Sequence, residues 1–434
     1  MKAVLLAAGA GERLQPLTAT RPKHLLKIAG KPLLQYSLEA IKHAGINEAI
    51  LITHYRGEAI EKYFGDGTAL GLKLTYLNQP KLLGTGNATG IAEPYLDTDF
   101  LLIYGDLLFG IETVKTVVNK FRPGKTAGVV GVVPTAHPEN YGIIEQTKEG
   151  TIKGIIEKPP ANSAPSNLAN TGVYVFSQGI FEKIHKTNIS SRGEWELTDA
   201  ITMLSKGDNP ILSVELSKED WFDVGRPEDL LDANLWALNR MEHRVLGKIE
   251  EGAHLIGPVT VAESARVRSG AYIEGPVFID KEADIGPNCY IRSGTSLGRK
   301  TRVGNAVEIK NSIIMDNTHI GHLSYVGDSI IGEECNLGAG TITANLRFDG
   351  EKIKMVLKDK RVDTNRRKLG AILGDRVKTG INASFMPGVK IGANTWVGAN
   401  FMVEQDIPAN SIALLKQNVD IKQIQPKIIN QKGT

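Results

Sequence analysis

The sequence predicts two folds joined end to end: a doubly wound α/β domain, then a parallel β-helix. Three observations predict this. Short apolar runs alternate with amphipathic stretches over the first half, a period of six runs through the second, and the composition leaves room for two cores. The chain has 434 residues, 41% of them apolar, enough for two or three units that each bury a core. Its 51 basic and 48 acidic side chains leave a net charge of +3, which argues against a nucleic-acid partner with its clustered basic face. Cys289 and Cys335 are the only cysteines. They are too few for a disulfide framework or a multi-cysteine zinc site, and both are expected as buried thiols. The opening MKAVLLAAGAGERL breaks into Gly-Ala-Gly after eight residues. That is too short for a signal core or a membrane span, so a soluble, cytoplasmic protein without a membrane partner is expected.

In the first half, Lys2 to Leu6 reads as a strand running into a glycine turn, and Leu33 to Ala44 has helical spacing. Ala49 to Ile52, Leu72 to Tyr76, Phe100 to Tyr104 and Ala127 to Val133 read as further strands. Strand-helix-strand order implies a mostly parallel sheet with its ligands at the carboxyl ends of the strands. A helix from Pro227 to Glu242 is expected to bridge the halves. From Leu255 a branched aliphatic residue recurs at every sixth position through Val261, Val267, Ile273, Ile279, Ile285, Ile291, Leu297, Val303 and Ile309. Six is the hexapeptide period of a parallel β-helix, each short strand contributing one inward aliphatic and each corner a small residue. The register slips near Ile314 and again near Ile331, and returns at Phe385, Ile391, Val397 and Val403. The segment from Arg347 to Lys368 breaks the pattern with nine Lys or Arg against four Asp or Glu. The expected division is residues 1–227, a helical linker 228–246, a β-helix 247–415 and a tail 416–434.

The first strand runs straight into LAAGAGERLQPLT. Gly9 and Gly11 let backbone N–H groups approach an anion, and Arg13 adds a fixed charge for phosphate oxygens. Leu14 stands where a dinucleotide fingerprint needs its third glycine, which weakens an oxidoreductase reading. Lys23, in Arg21-Pro22-Lys23, suits a polyphosphate leaving group, although alone it would read as a solvated loop lysine. Asp106 ends an apolar strand in YGD, and Asp223 lies in WFDVG. Two such carboxylates suffice for Mg²⁺ whose other positions go to phosphates and water. Two N-capping aspartates are the plainer alternative.

The stretch LAAGAGERLQPLTATRPKHLLKIAGKP, followed in order by YGD, EKP, NTG and WFDVGRPED, resembles the sugar-1-phosphate nucleotidylyltransferases over roughly residues 1–228. The resemblance implies a Rossmann-like domain. It places Ala8, Gly9 and Gly11 at the nucleotide, with Gln79 reading the base edge and Gly84 and Thr85 beside the nucleoside. It further implies that Arg13 and Lys23 hold the triphosphate and that Asp106 and Asp223 hold Mg²⁺. Gly142, Glu157 and Asn170 would meet the sugar, and Lys158 its phosphate. Glu12 stands where many members have threonine. The sugar-phosphate oxygen would attack the α-phosphorus in line with no covalent intermediate, so that catalysis is positioning and charge neutralisation.

In the second half, His322 in GHLSYVGD is the side chain suited to deprotonate an amine, though a lone His is more often structural. From Tyr290 to Asn345, YIRSG, GNAVEIK, GHLSYVGDS and NLGAGTITAN resemble the acetyltransferase domain of the bifunctional bacterial N-acetylglucosamine-1-phosphate uridyltransferases. That resemblance puts Arg292 and Lys310 on the sugar phosphate, His322 as general base, Tyr325, Asn336 and Asn345 on the sugar, and Ala339 at acetyl-CoA. Leu346 replaces a tyrosine. The basic insertion is absent from that family and is expected to serve coenzyme A, with Lys368 the best candidate. The whole chain resembles the archaeal bifunctional sugar-1-phosphate nucleotidylyltransferase/acetyltransferases. This implies a left-handed β-helix, a homotrimer with acetyl sites between neighbours, and use of acetyl-CoA, UTP or dTTP, and glucosamine or galactosamine phosphate. The two site sets fall in separate domains and are expected to act independently. The alternatives are a single-activity glucose-1-phosphate uridylyl- or thymidylyltransferase with a structural β-helix, and a catalytically inert scaffold.

Overall fold

The computed structural model describes residues 1–423. Its first half is built on a nine-stranded sheet whose middle strand, Lys2–Ala7, pairs in parallel with Glu48–Thr53 and Phe100–Tyr104. Lys73–Asn78 extends it in parallel on one side. On the other side Leu168–Phe176 runs antiparallel to Phe100–Tyr104, and the hairpin Gly142–Gln146/Ile152–Glu157 closes the edge. The sheet is therefore mixed rather than mostly parallel. The hairpin turns the chain back within a few residues, where a parallel partner would require a crossover helix.

Alternation along the central strand feeds both faces of the sheet. Ala3 and Leu5 pack with Leu34, Leu38 and Ile41 of the helix Leu33–His43, while Val4 joins Leu102, Phe176 and Phe181 on the opposite face. Glycine loop, Asp106 and Glu157 all lie where strands end, so the sheet delivers them to one rim.

Apart from one hairpin, the second half is a stack of two- to four-residue strands, all parallel, sorted into three sheets. Val267 pairs with Ile285 and Ile285 with Val303, a step of 18 residues; the step shortens to 17 at Val303 and Ile320. One deleted residue per coil accounts for the slips read in the sequence. The inward column, including Ile273, Ile291, Leu297, Ile309 and Val326, is fully buried. Parallel strands stacked in this way are those of a β-helix. Cys289 and Cys335 are buried free thiols, and burial pushes both up to about 12.

A further core spans the two halves. Leu14, Leu17, Leu26 and Ile28 of the glycine-loop region meet Leu230, Leu231 and Leu238 of the helix Pro227–Asn239, and Ile313, Met315, Ile330 and Ile372 of the coils. Asn234, fully buried, ties the pieces together: its Oδ1 accepts from Ala29 N at 2.9 Å and Ser296 Oγ at 2.7 Å, and its Nδ2 donates to Gly294 O. The expected bridging helix is thus packed between the halves, and it ends at Asn239 rather than Glu242. The basic insertion forms the antiparallel hairpin Lys354–Leu357/Lys360–Asp363, with Ile353 and Met355 buried in this same core. Among the described residues no helix is long and apolar enough to cross a membrane.

Candidate functional site

Eight of the residues expected at the first site line one cavity of about 260 Å³: Arg13, Thr85, Asp106, Gly142, Glu157, Lys158, Asn170 and Asp223. The local structure explains how each gets there. Gly11 adopts φ 67°, and the Thr18 hydroxyl donates to its carbonyl at 2.8 Å, folding the loop back on itself. Lys23 ion-pairs with Asp106. A methyl on Gly9 would lie 3.4 Å from Lys23 Nζ, so this ammonium packs directly against the glycine loop. Trp221–Asp223 pairs antiparallel with Leu107–Phe109, and Val224 N donates to Asp106 O at 3.1 Å. Two carboxylates distant in sequence therefore stand on adjacent strands.

Burial and Asp106 both push the Asp223 carboxyl above its ordinary range. Burial acts upward on Asp106 too, but the Lys23 ammonium outweighs it and holds Asp106 below the usual range. Two half-buried carboxylates side by side, with Lys23 paired to Asp106, form a site that a divalent cation suits. Among the described residues no three His, Cys, Asp or Glu side chains converge. A cation here would fill its shell with phosphate oxygens and water.

At the sugar end of the cavity, Glu157 is raised chiefly by burial, with Arg192 at 3.4 Å and Lys158 at 4.0 Å opposing. Asn170 Nδ2 donates to Tyr174 Oη at 2.6 Å. Arg192, Glu196, Tyr104 and Tyr141 also line the cavity and were missed from the sequence; a polar loop, SSRGEWE, was the only signal for Arg192. Ala8 is buried. Gln79 is only 2% exposed, and its Nε2 donates to Asn87 Oδ1 at 2.9 Å. Gly84 sits with φ 99° against Trp195, whose carbonyl oxygen would be 2.6 Å from an added Cβ.

The second set lies on two neighbouring sheets of the coils. Glu308–Lys310 pairs with Tyr325–Gly327, and Arg302–Asn305 with His319–His322. Lys310, Tyr325 and Asn345 are drawn together by Asp328, buried and not anticipated. Asn345 Nδ2 donates to Asp328 Oδ2 at 2.6 Å and to Tyr325 Oη at 3.1 Å, and Lys310 Nζ lies 3.3 Å from Asp328. Arg292 pairs with Glu308 at 2.9 Å. His322, Asn336 and Lys368 are exposed, and Ala339 is half-buried. The inward position belongs to Ile320, so His322 does not interrupt the aliphatic column. The Ser324 hydroxyl donates to the His322 carbonyl at 2.7 Å and does not hold its ring. The insertion also differs from expectation: Arg366 ion-pairs with Asp232 at 2.6 Å and Lys358 with Glu12 at 2.5 Å. Two of its nine basic side chains thus pair with residues that precede the coils.

The sequence model of the nucleotidyl transferase family matches residues 2–240, and that of the GMPPB C-terminal domain matches residues 273–384. The chain is 46% identical over 424 residues to the bifunctional protein GlmU of Methanocaldococcus jannaschii, covering 98% of this chain and all of that one. It is 41% identical to the bifunctional sugar-1-phosphate nucleotidylyltransferase/acetyltransferase of Sulfurisphaera tokodaii, over 94% of this chain and 98% of that one. Among solved structures, a UDP-glucose pyrophosphorylase complexed with UDP-glucose superposes with a TM-score of 0.51 at 27% identity, covering 55% of this chain and 99% of that one. Full-length similarity and a matching first domain together make this chain a member of the bifunctional GlmU family, with a nucleotidyltransferase domain at its start.

Proposed function

We propose that the protein acetylates glucosamine-1-phosphate with acetyl-CoA and then transfers UMP from UTP to the product, releasing pyrophosphate and forming UDP-N-acetylglucosamine. The observation that carries this reading is the single cavity in which Arg13, Asp106 and Asp223 meet Gly142, Glu157, Lys158 and Asn170. Asp106 and Asp223 would hold Mg²⁺, which supplies charge neutralisation on the phosphates when bound. Lys23 and Arg13 neutralise the leaving pyrophosphate. Glu157 and Asn170 orient the sugar, and Lys158 draws its phosphate oxygen in line with the α-phosphorus. Ala8, Gly9, Gly11, Gln79, Gly84 and Thr85 form the nucleotide side.

For acetyl transfer, His322 accepts the proton of the attacking amine, and Arg292 and Lys310 hold the sugar phosphate. Tyr325, Asn336 and Asn345 contact the sugar, Ala339 the acetyl thioester and Lys368 a coenzyme A phosphate. The domains are residues 1–227 and 247–415, the second a left-handed hexapeptide β-helix, joined by 228–246. Of the tail 416–434, residues from 424 onward lie outside the described ones. Exposed Leu323, Ile342, Ile381, Trp396 and Met402 along the coils support a homotrimer in which neighbours cover this apolar surface. The site of action is the cytoplasm. Incubating the protein with acetyl-CoA, glucosamine-1-phosphate, UTP and Mg²⁺, and weighing the products by mass spectrometry, tests both steps. Product lacking either the acetyl or the uridylyl group would overturn that half of the reading.

Two substitutions probe the sites locally. An added Cβ on Gly225 would lie 2.7 Å from Arg13 Nη2, so Gly225→Ala must displace the guanidinium. It is expected to slow nucleotidyl transfer on the order of tenfold or more, since small misplacements at a reacting centre can reach a hundredfold. Acetyl transfer should be unchanged in parallel assays. Lys368→Met is expected to raise the KM for acetyl-CoA several-fold, an exposed charge contact being worth at most about 1 kcal/mol; UTP kinetics should not move.

A further inference from the structure

The segment that carries Arg13 and Lys23 is gripped from outside by the C-terminal half. Arg21, with a side chain 14% exposed, ion-pairs with both Glu333 and Asp375 of the coils, and the Thr20 hydroxyl donates to the same Asp375. Lys27 Nζ lies 2.6 Å from Asp316 and 3.9 Å from Asp280. Leu17 and Leu26, flanking these contacts, pack in one cluster with Ile330 and Ile372. Lys358, at the hairpin tip, reaches Glu12 beside Arg13. A glycine-rich loop at a sheet rim has little of its own to hold it still. Here four polar side chains between Glu12 and Lys27, namely Glu12, Thr20, Arg21 and Lys27, are tied to groups on the other half of the molecule. Pro22 then stands alone between Arg21 and Lys23, and its fixed φ passes the position of one to the other.

We propose that Arg21 is a positioning residue for nucleotidyl transfer: anchored on Glu333 and Asp375, it sets Lys23 against Asp106, so the first reaction depends on the C-terminal half. This rests on the nucleotidyl-transfer reading above. It also replaces the expectation that the two domains act independently. Arg suits the role because its rigid planar fork presents separate N–H groups, Nη1 to Glu333 and Nη2 to Asp375, in a fixed geometry.

The test uses the full-length chain with both half-reactions assayed on one preparation. Arg21→Met should lower kcat for nucleotidyl transfer ten- to a hundredfold, leave the KM for the sugar phosphate within a few-fold, and spare acetyl transfer. Partial unfolding would instead lower both reactions together, so acetyl transfer is the internal control. Glu333→Gln, on the far half and with no contact to the cavity, should lower the same kcat less. The double variant should be no slower than Arg21→Met, because both changes break one linkage. Arg21→Met within twofold of wild-type kcat, or losses that multiply in the double variant, would overturn the proposal. If Arg21→Met does not fold, Glu333→Gln decides: an unchanged kcat overturns it. A wild-type chain that acetylates but transfers no nucleotide strikes the assigned reaction itself, a different failure from a wild type that turns over and an indifferent Arg21.

Discussion

Asp223→Asn is expected to cut nucleotidyl transfer by about 10²–10³ in kcat, the range seen when one preorganised electrostatic contact to a transition state is removed, and to leave the melting temperature unchanged or raised. The unusual pairing of those signs follows from the geometry. Asp223 is half-buried beside Asp106, and both desolvation and that neighbour push its carboxyl upward. In the folded protein without cation its charge is therefore unfavourable, and an amide of the same shape relieves the repulsion. In the proposed reaction the same charge would help to hold a divalent cation that neutralises the phosphates. Asp106→Asn should differ in stability, because Asp106 ion-pairs with Lys23 and its loss leaves a mostly buried ammonium without a partner. Measuring kcat for both reactions beside thermal melts on both variants checks the assignment. A nucleotidyl-transfer rate above a tenth of wild type in Asp223→Asn would remove that carboxylate from the mechanism.

What was legible in the sequence is what local chemistry enforces. The inward column of the coils is aliphatic at most strands, Thr343, Thr379 and Phe385 being exceptions, because the interior is apolar, so Val267, Ile285 and Val303 announce themselves by spacing alone. The same holds for Ala49 to Ile52 and for the glycine loop, whose backbone demands are written in adjacent residues. The mixed sheet was not legible, because the hairpin after Gly142 differs from a crossover only in where its short turn sends the chain. Least legible were contacts between the halves. Arg21 and Asp375 lie 354 residues apart, and neither carries a local sign of the other. Leu17 and Ile28 read as ordinary loop and strand residues, and the insertion read as a charged loop because Ile353 and Met355 are outnumbered by its lysines. Arg192 was hidden for a related reason: its role comes from lying beside Glu157, brought there from a strand 35 residues earlier. Asp328, inside a stretch already singled out, was passed over because a carboxylate among glycines reads as a turn residue. The structure instead buries it as the acceptor shared by Lys310, Asn311 and Asn345.

His322→Ala is expected to lower acetyl-transfer kcat by about two to four decades, the contribution of a positioned general base, with the KM values within a few-fold and uridylyl transfer untouched. The amine of glucosamine-1-phosphate must lose a proton before or during attack on the thioester, and the imidazole is the one side chain of this set able to take it. Arg292 and Lys310 stand on successive coils of the adjacent sheet, and in the proposed site a sugar phosphate held by them would turn its amine toward His322. A structural role for His322 is a poor competitor on this geometry. The residue is exposed, its inward neighbour Ile320 fills the core, and Ser324 bonds the backbone carbonyl, which any residue at 322 would present. Truncating it should therefore change folding stability by no more than about 0.5 kcal/mol, as for surface substitutions generally. Loss of rate without loss of melting temperature is the signature sought. Ser324→Ala separates the two functions further: it removes a hydrogen bond from a nearly buried hydroxyl, so it should lower the melting temperature while leaving most of the acetyl-transfer rate. If instead His322→Ala kept more than a third of the wild-type acetyl-transfer rate, the proton would have another acceptor and His322 no part in the chemistry.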